Sequence, residues 1–203
     1  MYSRLLKALL PFALLFAWPG HAAETFQAGK HYNVIAETPT PTASVMEFFS
    51  YGCGACFNFD PYMKHLKTAL GDQAEVEYIP VDFGGGFWTP TQQLFLVLET
   101  QRREAELHDA VFQFIHGERK GRVGPAAVRE FAARHGIDEA EFDKSLKGFY
   151  ATSRKNRYDQ LTRRYGISAT PTIIVNGKYQ IENRALTTPD AFVELVKFLL
   201  KNP

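Results

Sequence analysis

The chain has 203 residues, of which 45% are hydrophobic, and its 23 basic and 22 acidic side chains leave a formal net charge of +1. This near-neutral balance gives no electrostatic reason to expect nucleic acid or an anionic membrane as a partner. Only two cysteines occur, separated by two residues. Because closing so small a loop adds little stability, we expect these cysteines to serve chemistry rather than to staple the fold.

Residues 1–22 have the pattern of a secretory signal peptide. The basic residues Arg4 and Lys7 precede an apolar run of about eleven residues, the length of a signal-peptide core rather than of a membrane span. Small residues follow and permit cleavage after Ala22 or after the next residue. A retained membrane anchor is the alternative, disfavoured because the run is short and Pro11 interrupts it. We therefore expect a mature protein outside the cytoplasm.

Strand and helix signals alternate in the first part of the mature chain. Residues 32–36 predict a short strand, and the apolar segment 45–49 predicts a strand that is buried on both faces. Apolar spacing over residues 53–70 indicates a helix with a kink at Pro61. A further strand is predicted over residues 76–83, ending at three consecutive glycines.

The middle of the chain, residues 89–149, has an almost wholly helical pattern. Pro125 is expected at the first position of one helix. Asp138, followed three residues later by Glu141, resembles a capping box that begins another. A helix over residues 152–165 then leads back towards strand-forming sequence.

The last part of the chain predicts a hairpin and a helix. Residues 172–175 form a strand candidate, the pair Asn176-Gly177 is a strong hairpin-turn signal, and residues 178–181 form the return strand. Residues 189–200 have helical apolar spacing.

This order of elements predicts an α/β protein with a thioredoxin fold and an inserted all-helical subdomain. The thioredoxin-like domain is expected to be discontinuous, formed by residues 23–83 and 150–203. The helical insertion is expected over residues 84–149.

The dithiol motif Cys53-Gly54-Ala55-Cys56 lies at the predicted junction between a strand and a helix. A thiolate at the first turn of a helix meets unpaired backbone N–H groups and the positive end of the helix dipole. We therefore expect Cys53 to be an exposed nucleophile with a lowered pKa. Cys56, one turn deeper, is expected to be its buried partner in a redox-active disulfide.

A CxxC motif can also serve other purposes. Half of a zinc site is disfavoured because the chain has no second CxxC and no paired histidine spacing. Covalent haem attachment would need histidine directly after the second cysteine, where the sequence has Phe57. A disulfide with a purely structural role is the remaining alternative. We expect neither a metal nor a cofactor.

Two segments carry a family resemblance. Residues 45–51, Val-Met-Glu-Phe-Phe-Ser-Tyr, and residues 170–179, Thr-Pro-Thr-Ile-Ile-Val-Asn-Gly-Lys-Tyr, resemble the signatures of the periplasmic disulfide oxidoreductases of the DsbA family. The resemblance extends over essentially the whole mature chain. It implies a periplasmic enzyme that introduces disulfide bonds into unfolded exported proteins with free thiols. It also implies reoxidation by a DsbB-like membrane partner that passes electrons to quinone, and we expect a monomer that binds no nucleic acid.

The resemblance also implies roles for three supporting residues. Pro171 would be a cis-proline packed against the disulfide, and Thr170 would present backbone groups to an extended substrate. Glu47 would be a buried acid that accepts and relays the proton of Cys56. The less favoured alternatives are that Pro171 is a trans proline at the start of a strand and that Glu47 is a solvent-facing strand residue.

The sequence departs from the family pattern at two places. Gly54-Ala55 stands between the cysteines, where strongly oxidising members carry Pro-His, so we expect a higher Cys53 pKa and a weaker oxidant. Tyr78 stands where the prototype has a lysine, so Glu47 is expected to lack a cationic partner.

The direction of the reaction stays open at this stage. Threonine before the proline, as at Thr170, also occurs in reductase- and isomerase-like relatives, so a thiol reductase or disulfide isomerase is the first alternative. A non-catalytic metal-binding or chaperone domain is the second. The histidines on predicted helices, His65, His108, His116 and His135, are interpreted as surface or helix-end residues.

Overall fold

One mixed five-stranded sheet organises the protein. The computed structural model describes residues 26–202, so the predicted signal peptide lies outside the described residues. The sheet order is β1-β5-β4-β2-β3, with β2 and β3 parallel and the other neighbours antiparallel. The strands are β1 (Tyr32–Val34), β2 (Ser44–Phe49), β3 (Glu75–Pro80), β4 (Thr172–Val175) and β5 (Tyr179–Ile181).

Seven α-helices surround this sheet within residues 26–202. They are α1 (Gly54–Leu70), α2 (Trp88–Thr100), α3 (Glu104–Phe112), α4 (Pro125–Arg134), α5 (Glu139–Lys147), α6 (Phe149–Arg164) and α7 (Pro189–Lys201). A π-helical stretch, Gln113–Glu118, continues α3. None of the helices in the described part of the chain is long and apolar enough to cross a membrane.

The predicted fold class is confirmed. Helix α1 joins the parallel strands β2 and β3, α7 packs against α1, and the helices α2 to α5 stand between β3 and α6. Helix α2 is the centre of the helical part, because it contacts α3, α4, α5 and α6. This is a thioredoxin fold with a helical insertion. The exact division at residues 83 and 150 stays a prediction.

Several local predictions are confirmed at the helix ends. The Asp138 side chain accepts a hydrogen bond from the backbone N–H of Glu141 at 2.8 Å and so caps α5. Pro125 begins α4, as expected. Helix α1 runs through Pro61 to Leu70.

The predicted hairpin turn lies between β4 and β5. Asn176 and Gly177 both have positive φ, 52° and 61°, the combination that a two-residue hairpin turn requires. A Cβ on Gly177 would also lie 2.6 Å from the side chain of Thr40. The position therefore needs glycine for two reasons.

Two predicted boundaries are wrong by three residues. Strand β3 ends at Pro80 rather than at position 83, because the Asp82 carboxylate accepts hydrogen bonds from Gly84 N and the Thr89 hydroxyl and turns the chain towards α2. Helix α6 begins at Phe149, three residues earlier than predicted. Phe149 is 90% exposed, so the first turn of this helix has no apolar pattern to predict it.

An aromatic cluster behind the end of β2 joins the sheet to the helical part. The ring of Phe49 lies 5.2 Å from Tyr51, 5.6 Å from Phe95 on α2 and 6.2 Å from Phe112 on α3, measured between centroids. All four rings are buried. Because edge-to-face aromatic packing is directional as well as apolar, this cluster holds the helical part in a defined position beside the end of β2 that leads to the cysteines.

Candidate active site

The two cysteines lie at the N-terminus of α1. Cys53 is the residue before the helix, with extended backbone (φ −87°, ψ 114°), and its Sγ accepts a hydrogen bond from the backbone N–H of Cys56 at 3.4 Å. Both cysteines are free thiols. The Cys53 side chain is partly exposed, whereas Cys56 is fully buried. One sulfur therefore faces solvent and its partner stands behind it.

The turn from β2 into α1 is held by Ser50 and Gly52. The Ser50 carbonyl accepts from Cys53 N at 3.0 Å, and its hydroxyl accepts from Gly52 N at 3.2 Å. A Cβ on Gly52 would lie 2.2 Å from the ring of Phe87. Only glycine fits this close approach, which brings an aromatic side chain next to the redox centre.

The two sulfurs have opposite acid–base properties. The pKa of Cys53 is lowered from its ordinary value of 9.0 to about 5, chiefly by the hydrogen bond with Cys56 and further by contacts with Thr170 and backbone N–H groups, which outweigh partial burial. Burial and the hydrogen bond with Cys53 raise the pKa of Cys56 far above its ordinary value. At neutral pH, Cys53 is a thiolate and Cys56 a thiol.

The Thr170–Pro171 peptide bond is cis and lies against this dithiol. Cys53 Sγ lies 3.6 Å from the Thr170 carbonyl oxygen and donates a hydrogen bond to it when the thiol is protonated. The Asn183 side chain donates to the Pro171 carbonyl at 2.7 Å, and the Thr172 hydroxyl donates to the Ala169 carbonyl at 2.9 Å. The loop before β4 is thus fixed beside the reactive sulfur.

Glu47 lies in the middle of β2 and is 2% exposed, so it is not a solvent-facing strand residue. Burial and the charge of Asp60 raise its pKa well above the ordinary range, and the charge of Lys67 opposes this. The Glu47 charge in turn contributes to the raised pKa of Cys56. A buried acid and a buried thiol therefore influence each other's protonation.

The expectation that Glu47 lacks a cationic partner needs one addition, because the charge of Lys67 reaches Glu47 and lowers its pKa, although burial keeps that pKa raised. Lys67 on α1 places its ammonium group 3.8 Å from the centroid of the Tyr78 ring, and Tyr78 is paired with Glu47 across β2 and β3. The cation comes from a helix rather than from the neighbouring strand. The spacing of residues in the sequence does not predict this cation, because only the packing of α1 against β3 brings Lys67 next to Tyr78.

A buried polar layer, defined here as Glu47, Tyr51, Asp60 and His108, lies behind the cysteines, and each of its members is at most 6% exposed. His108 Nε2–H donates to Asp60 at 3.2 Å, and its Nδ1 lies 3.0 Å from the Tyr51 hydroxyl. Burial opposes ionisation of Asp60, but its hydrogen bonds with His108 and Lys64 outweigh this and lower its pKa. Tyr51, His108 and Asp60 are therefore connected by hydrogen bonds inside the core, and Glu47 interacts with Asp60 through charge.

The interpretation of His108 as a surface residue is wrong. Its ring is 5% exposed and stacks on the Tyr78 ring with 4.4 Å between centroids. One signal in the sequence could have indicated this, since His108 is four residues before the buried Phe112 and so shares its helix face.

His116 also approaches the site, from the π-helical stretch after α3. Its Nε2–H donates to the Tyr51 carbonyl at 2.8 Å, and its ring stacks on Phe57 with 4.8 Å between centroids. π-Helical segments often accompany functional sites. The structure places this imidazole next to the residue that follows Cys56, a position that its spacing in the sequence did not suggest.

Metal chemistry finds no support in the arrangement of side chains. Within residues 26–202, no group of three or more His, Cys, Asp and Glu side chains is placed to hold a metal ion.

Comparison with known proteins decides the family. Residues 44–194 match the family described as DSBA-like thioredoxin domain. The chain belongs to the DsbA family. It is 31% identical to the thiol:disulfide interchange protein DsbA of Pseudomonas aeruginosa over 206 residues, which span 99% of this chain and 96% of that protein. The chain is therefore an enzyme of the thiol:disulfide oxidoreductase class.

Solved DsbA structures share the fold. A crystal structure of a variant of Pseudomonas aeruginosa DsbA has a TM-score of 0.76 at 28% identity, covering 88% of this chain and 98% of that one. A structure of Proteus mirabilis DsbA with a non-covalently bound peptide has a TM-score of 0.73 at 19% identity, covering 87% of this chain and 99% of that one. At 19% identity the second likeness concerns the fold alone.

Proposed function

We propose that this DsbA-family enzyme is a dithiol oxidase that donates a Cys53–Cys56 disulfide to exported proteins as they fold. The observation that carries the proposal is the placement of the two sulfurs at the N-terminus of α1, where Cys53 is partly exposed and Cys56 is buried behind it. The partly exposed Cys53 has a pKa of about 5, and the pKa of the buried Cys56 is raised. Cys53 is therefore suited to act as the accessible leaving group, and Cys56 as its protected partner.

The exchange proceeds in two steps, starting from the oxidised enzyme. A substrate thiolate attacks Cys53 Sγ, the Cys53–Cys56 bond breaks, and Cys56 leaves as a thiolate that takes up a proton. A second substrate thiolate then attacks the substrate sulfur of the mixed disulfide, and Cys53 leaves as a thiolate. Two electrons pass from the substrate to the enzyme, and the substrate gains one disulfide.

The lowered Cys53 pKa supports the proposal that the enzyme oxidises its substrates rather than reducing them. Contacts that stabilise the thiolate stabilise the reduced enzyme over the disulfide, which makes the oxidised enzyme a stronger oxidant. A Cys53 pKa of about 5 is higher than the value of about 3.5 for the family prototype. We therefore expect an oxidant that is weaker than the prototype, in keeping with Gly54-Ala55 in place of Pro-His.

The supporting residues fit the same reaction. Thr170 and Pro171 present the backbone beside Cys53, where an extended substrate peptide would bind. Glu47 is the buried acid that exchanges a proton with Cys56. The role of each residue is part of the proposal.

The proposed setting follows from the leader sequence and the family. Residues 1–22 would direct the chain to the periplasm and be removed there. Unfolded proteins with free thiols are the proposed substrates, and a DsbB-like membrane protein linked to quinone is the proposed reoxidising partner. We propose that the enzyme acts as a monomer and binds no nucleic acid.

The redox potential tests the proposal. The purified mature protein is equilibrated with mixtures of reduced and oxidised glutathione, and the fraction of Cys53–Cys56 disulfide is measured by mass spectrometry after acid trapping. We expect a potential less negative than about −200 mV but more negative than the prototype's value of about −120 mV. A potential below that of the glutathione couple would instead indicate a reductase.

Substrate assays separate the remaining alternatives. The oxidised enzyme should introduce disulfides into a reduced, unfolded protein, and Cys53→Ser should abolish this. An isomerase would act mainly on a substrate with scrambled disulfides. A chaperone would keep its suppression of aggregation in the Cys53→Ser variant.

A further inference from the structure

The carbonyl group of Pro171 is bound by a side chain rather than by a neighbouring strand. Strands β4 and β5 pair antiparallel with Ile174 opposite Gln180, and the same register continued towards the active site would bring Asn183 opposite Pro171. The backbone ladder has ended before this point, because residues 183–185 form one turn of 3-10 helix. The Asn183 side chain takes over and donates its Nδ2–H to the Pro171 carbonyl at 2.7 Å.

The residue before Asn183 fixes it to the edge of the sheet. The backbone N–H of Glu182 donates to the His31 carbonyl at 2.9 Å, and the Glu182 carboxylate accepts a hydrogen bond from the side chain of Asn33 on β1. Asn183 therefore extends from the paired ends of β1 and β5. A series of hydrogen bonds leads from the edge strand β1 to the loop that precedes β4.

The Asn183 side chain adds little to the stability of the fold. Its Nδ2–H is bound to Pro171, but its Oδ1 is buried without a hydrogen-bond partner in the described part of the chain. A buried amide oxygen that is left unpaired costs at least as much free energy as one ordinary hydrogen bond contributes. The importance of this hydrogen bond therefore lies in where it holds the loop.

The loop that Asn183 holds is in contact with the reactive sulfur. The Thr170 carbonyl lies 3.6 Å from Cys53 Sγ. The hydrogen bond at 2.9 Å from the Thr172 hydroxyl to the carbonyl three residues earlier is made within the loop. The Asn183 hydrogen bond instead joins the loop to the end of β5, so it fixes the position of the Thr170 backbone relative to the sheet.

We propose that Asn183 is a positioning residue for the substrate peptide, because its hydrogen bond to the Pro171 carbonyl holds the backbone of Thr170 where an extended chain can pair with it beside Cys53. The inference rests on the proposed function and deepens it. It names a residue that serves the binding of the peptide rather than the chemistry of the two sulfurs. A small dithiol, which has no peptide backbone, should therefore react independently of Asn183.

Two substrates of the same oxidised enzyme separate peptide binding from sulfur chemistry. The full-length mature protein is mixed with dithiothreitol or with a linear peptide that contains two cysteines, and loss of the Cys53–Cys56 disulfide is followed by mass spectrometry after acid quenching. In Asn183→Leu, which keeps the size of the side chain but has no donor, we expect kcat/KM for the peptide to fall about fivefold, the effect of one ordinary hydrogen bond. The loss should lie in KM, and the rate constant for dithiothreitol should stay essentially unchanged.

Asn202→Leu is the matched control for this variant. The Asn202 side chain also donates to a backbone carbonyl, that of Phe198, and also at 2.7 Å. It lies at the end of α7 beside Tyr179, which begins β5, whereas Asn183 follows the end of β5. Asn202→Leu should leave the rate constants for both substrates unchanged.

Two further variants test the hydrogen bond itself. Asn183→Gln keeps an amide donor and should retain more activity on the peptide than Asn183→Leu. Asn183→Asp keeps the size but replaces the donor with a carboxylate, so it should show the same peptide-specific loss. It takes the place of Asn183→Leu if that variant folds poorly.

The outcomes separate the two proposals. If the wild-type enzyme oxidises both substrates but Asn183→Leu loses activity on both by the same factor, or on neither, the role of Asn183 is refuted and the oxidase proposal stands. A loss of the same size in Asn202→Leu, or a loss in kcat alone, also refutes it. If the wild-type protein oxidises neither substrate, the oxidase proposal itself fails.

Discussion

Two neighbouring regions, the N-terminus of α1 at Cys53 and the buried polar layer behind it, differ in how they shift the pKa values of their acidic groups. At the first turn, Cys53 is partly exposed and its sulfur receives hydrogen bonds, so its pKa falls to about 5. Behind it, at Cys56 on α1 and Glu47 on β2, burial is the largest effect and raises the pKa values of both groups. The field of a helix N-terminus stabilises an anion by about 0.3–2 kcal/mol, which is less than the cost of burying an unpaired charge.

This difference shows how a compact dithiol separates two functions. The outer sulfur stays ionised and reactive because solvent and hydrogen-bond donors reach it. The inner sulfur stays protonated because they do not. The predictions below compare the two regions, beginning with the largest expected effect.

The two cysteines should differ most in their reactivity. At pH 6 we expect iodoacetamide to label Cys53 of the reduced protein at least about a thousand times faster than Cys56, because the thiolate is the nucleophile and only Cys53 is ionised and accessible. Peptide mass spectrometry gives the two rates. In denaturant the preference should vanish. Equal labelling of the folded protein would mean that the two sulfurs share one environment.

The hydrogen bonds of His108 in the polar layer should contribute to stability and not to the ionisation of Cys53. Replacing His108 with Ala leaves Asp60 and the Tyr51 hydroxyl without a buried partner and should lower the free energy of unfolding by about 3 kcal/mol. The Cys53 pKa, measured from the absorbance of its thiolate, should stay essentially unchanged.

The matched control for this variant is an exposed histidine. His65→Ala removes a ring that pairs with Asp190 at the surface and should change the free energy of unfolding by less than about 0.5 kcal/mol. A His108→Ala protein as stable as this control, or one with a shifted Cys53 pKa, would contradict the separation of the two regions.

The ionisation of Cys53 should make the stability of the reduced protein depend on pH. Its pKa is lower in the folded state (about 5) than its ordinary value of 9.0, so its contribution is fully present above pH 9 and is lost as the pH falls towards 5. Because the side chain is partly exposed, solvent screening reduces this contribution, and we expect about 2 kcal/mol.

Denaturant unfolding of the reduced protein between pH 5 and pH 9 measures this contribution. Reduced Cys53→Ser should lack the rise in stability with pH, while the buried groups that both proteins share, such as Glu47, cancel in the comparison. Parallel curves for the two proteins would mean that the thiolate is not stabilised by the fold.

Much of the fold was predictable because the relevant interactions are local. Buried strand sequence, the Asn176-Gly177 turn and the Asp138 cap each depend on neighbours within a few residues. Where local patterns are weak the prediction failed, as at the start of α6, whose first residue, Phe149, is exposed.

The residues of the site also fall into those that local sequence patterns predict and those that they do not. The redox pair Cys53 and Cys56 and the loop at Thr170-Pro171 could be named from motifs. His108, His116 and Lys67 could not, because each acts on groups that are distant in the chain. His108 was misread as a surface residue, and Tyr78 suggested a missing cation that Lys67 supplies from another element.

The sequence by itself determined the order of strands and helices, the position of the dithiol at a helix N-terminus and the family to which the chain belongs. These properties follow from side-chain periodicity, turn chemistry and short motifs, which act over a few residues. Only the tertiary structure decided which sulfur is buried, which acids surround it and which lysine faces them. Solvation and Coulomb interactions depend on distance in space, and a linear pattern does not contain that distance.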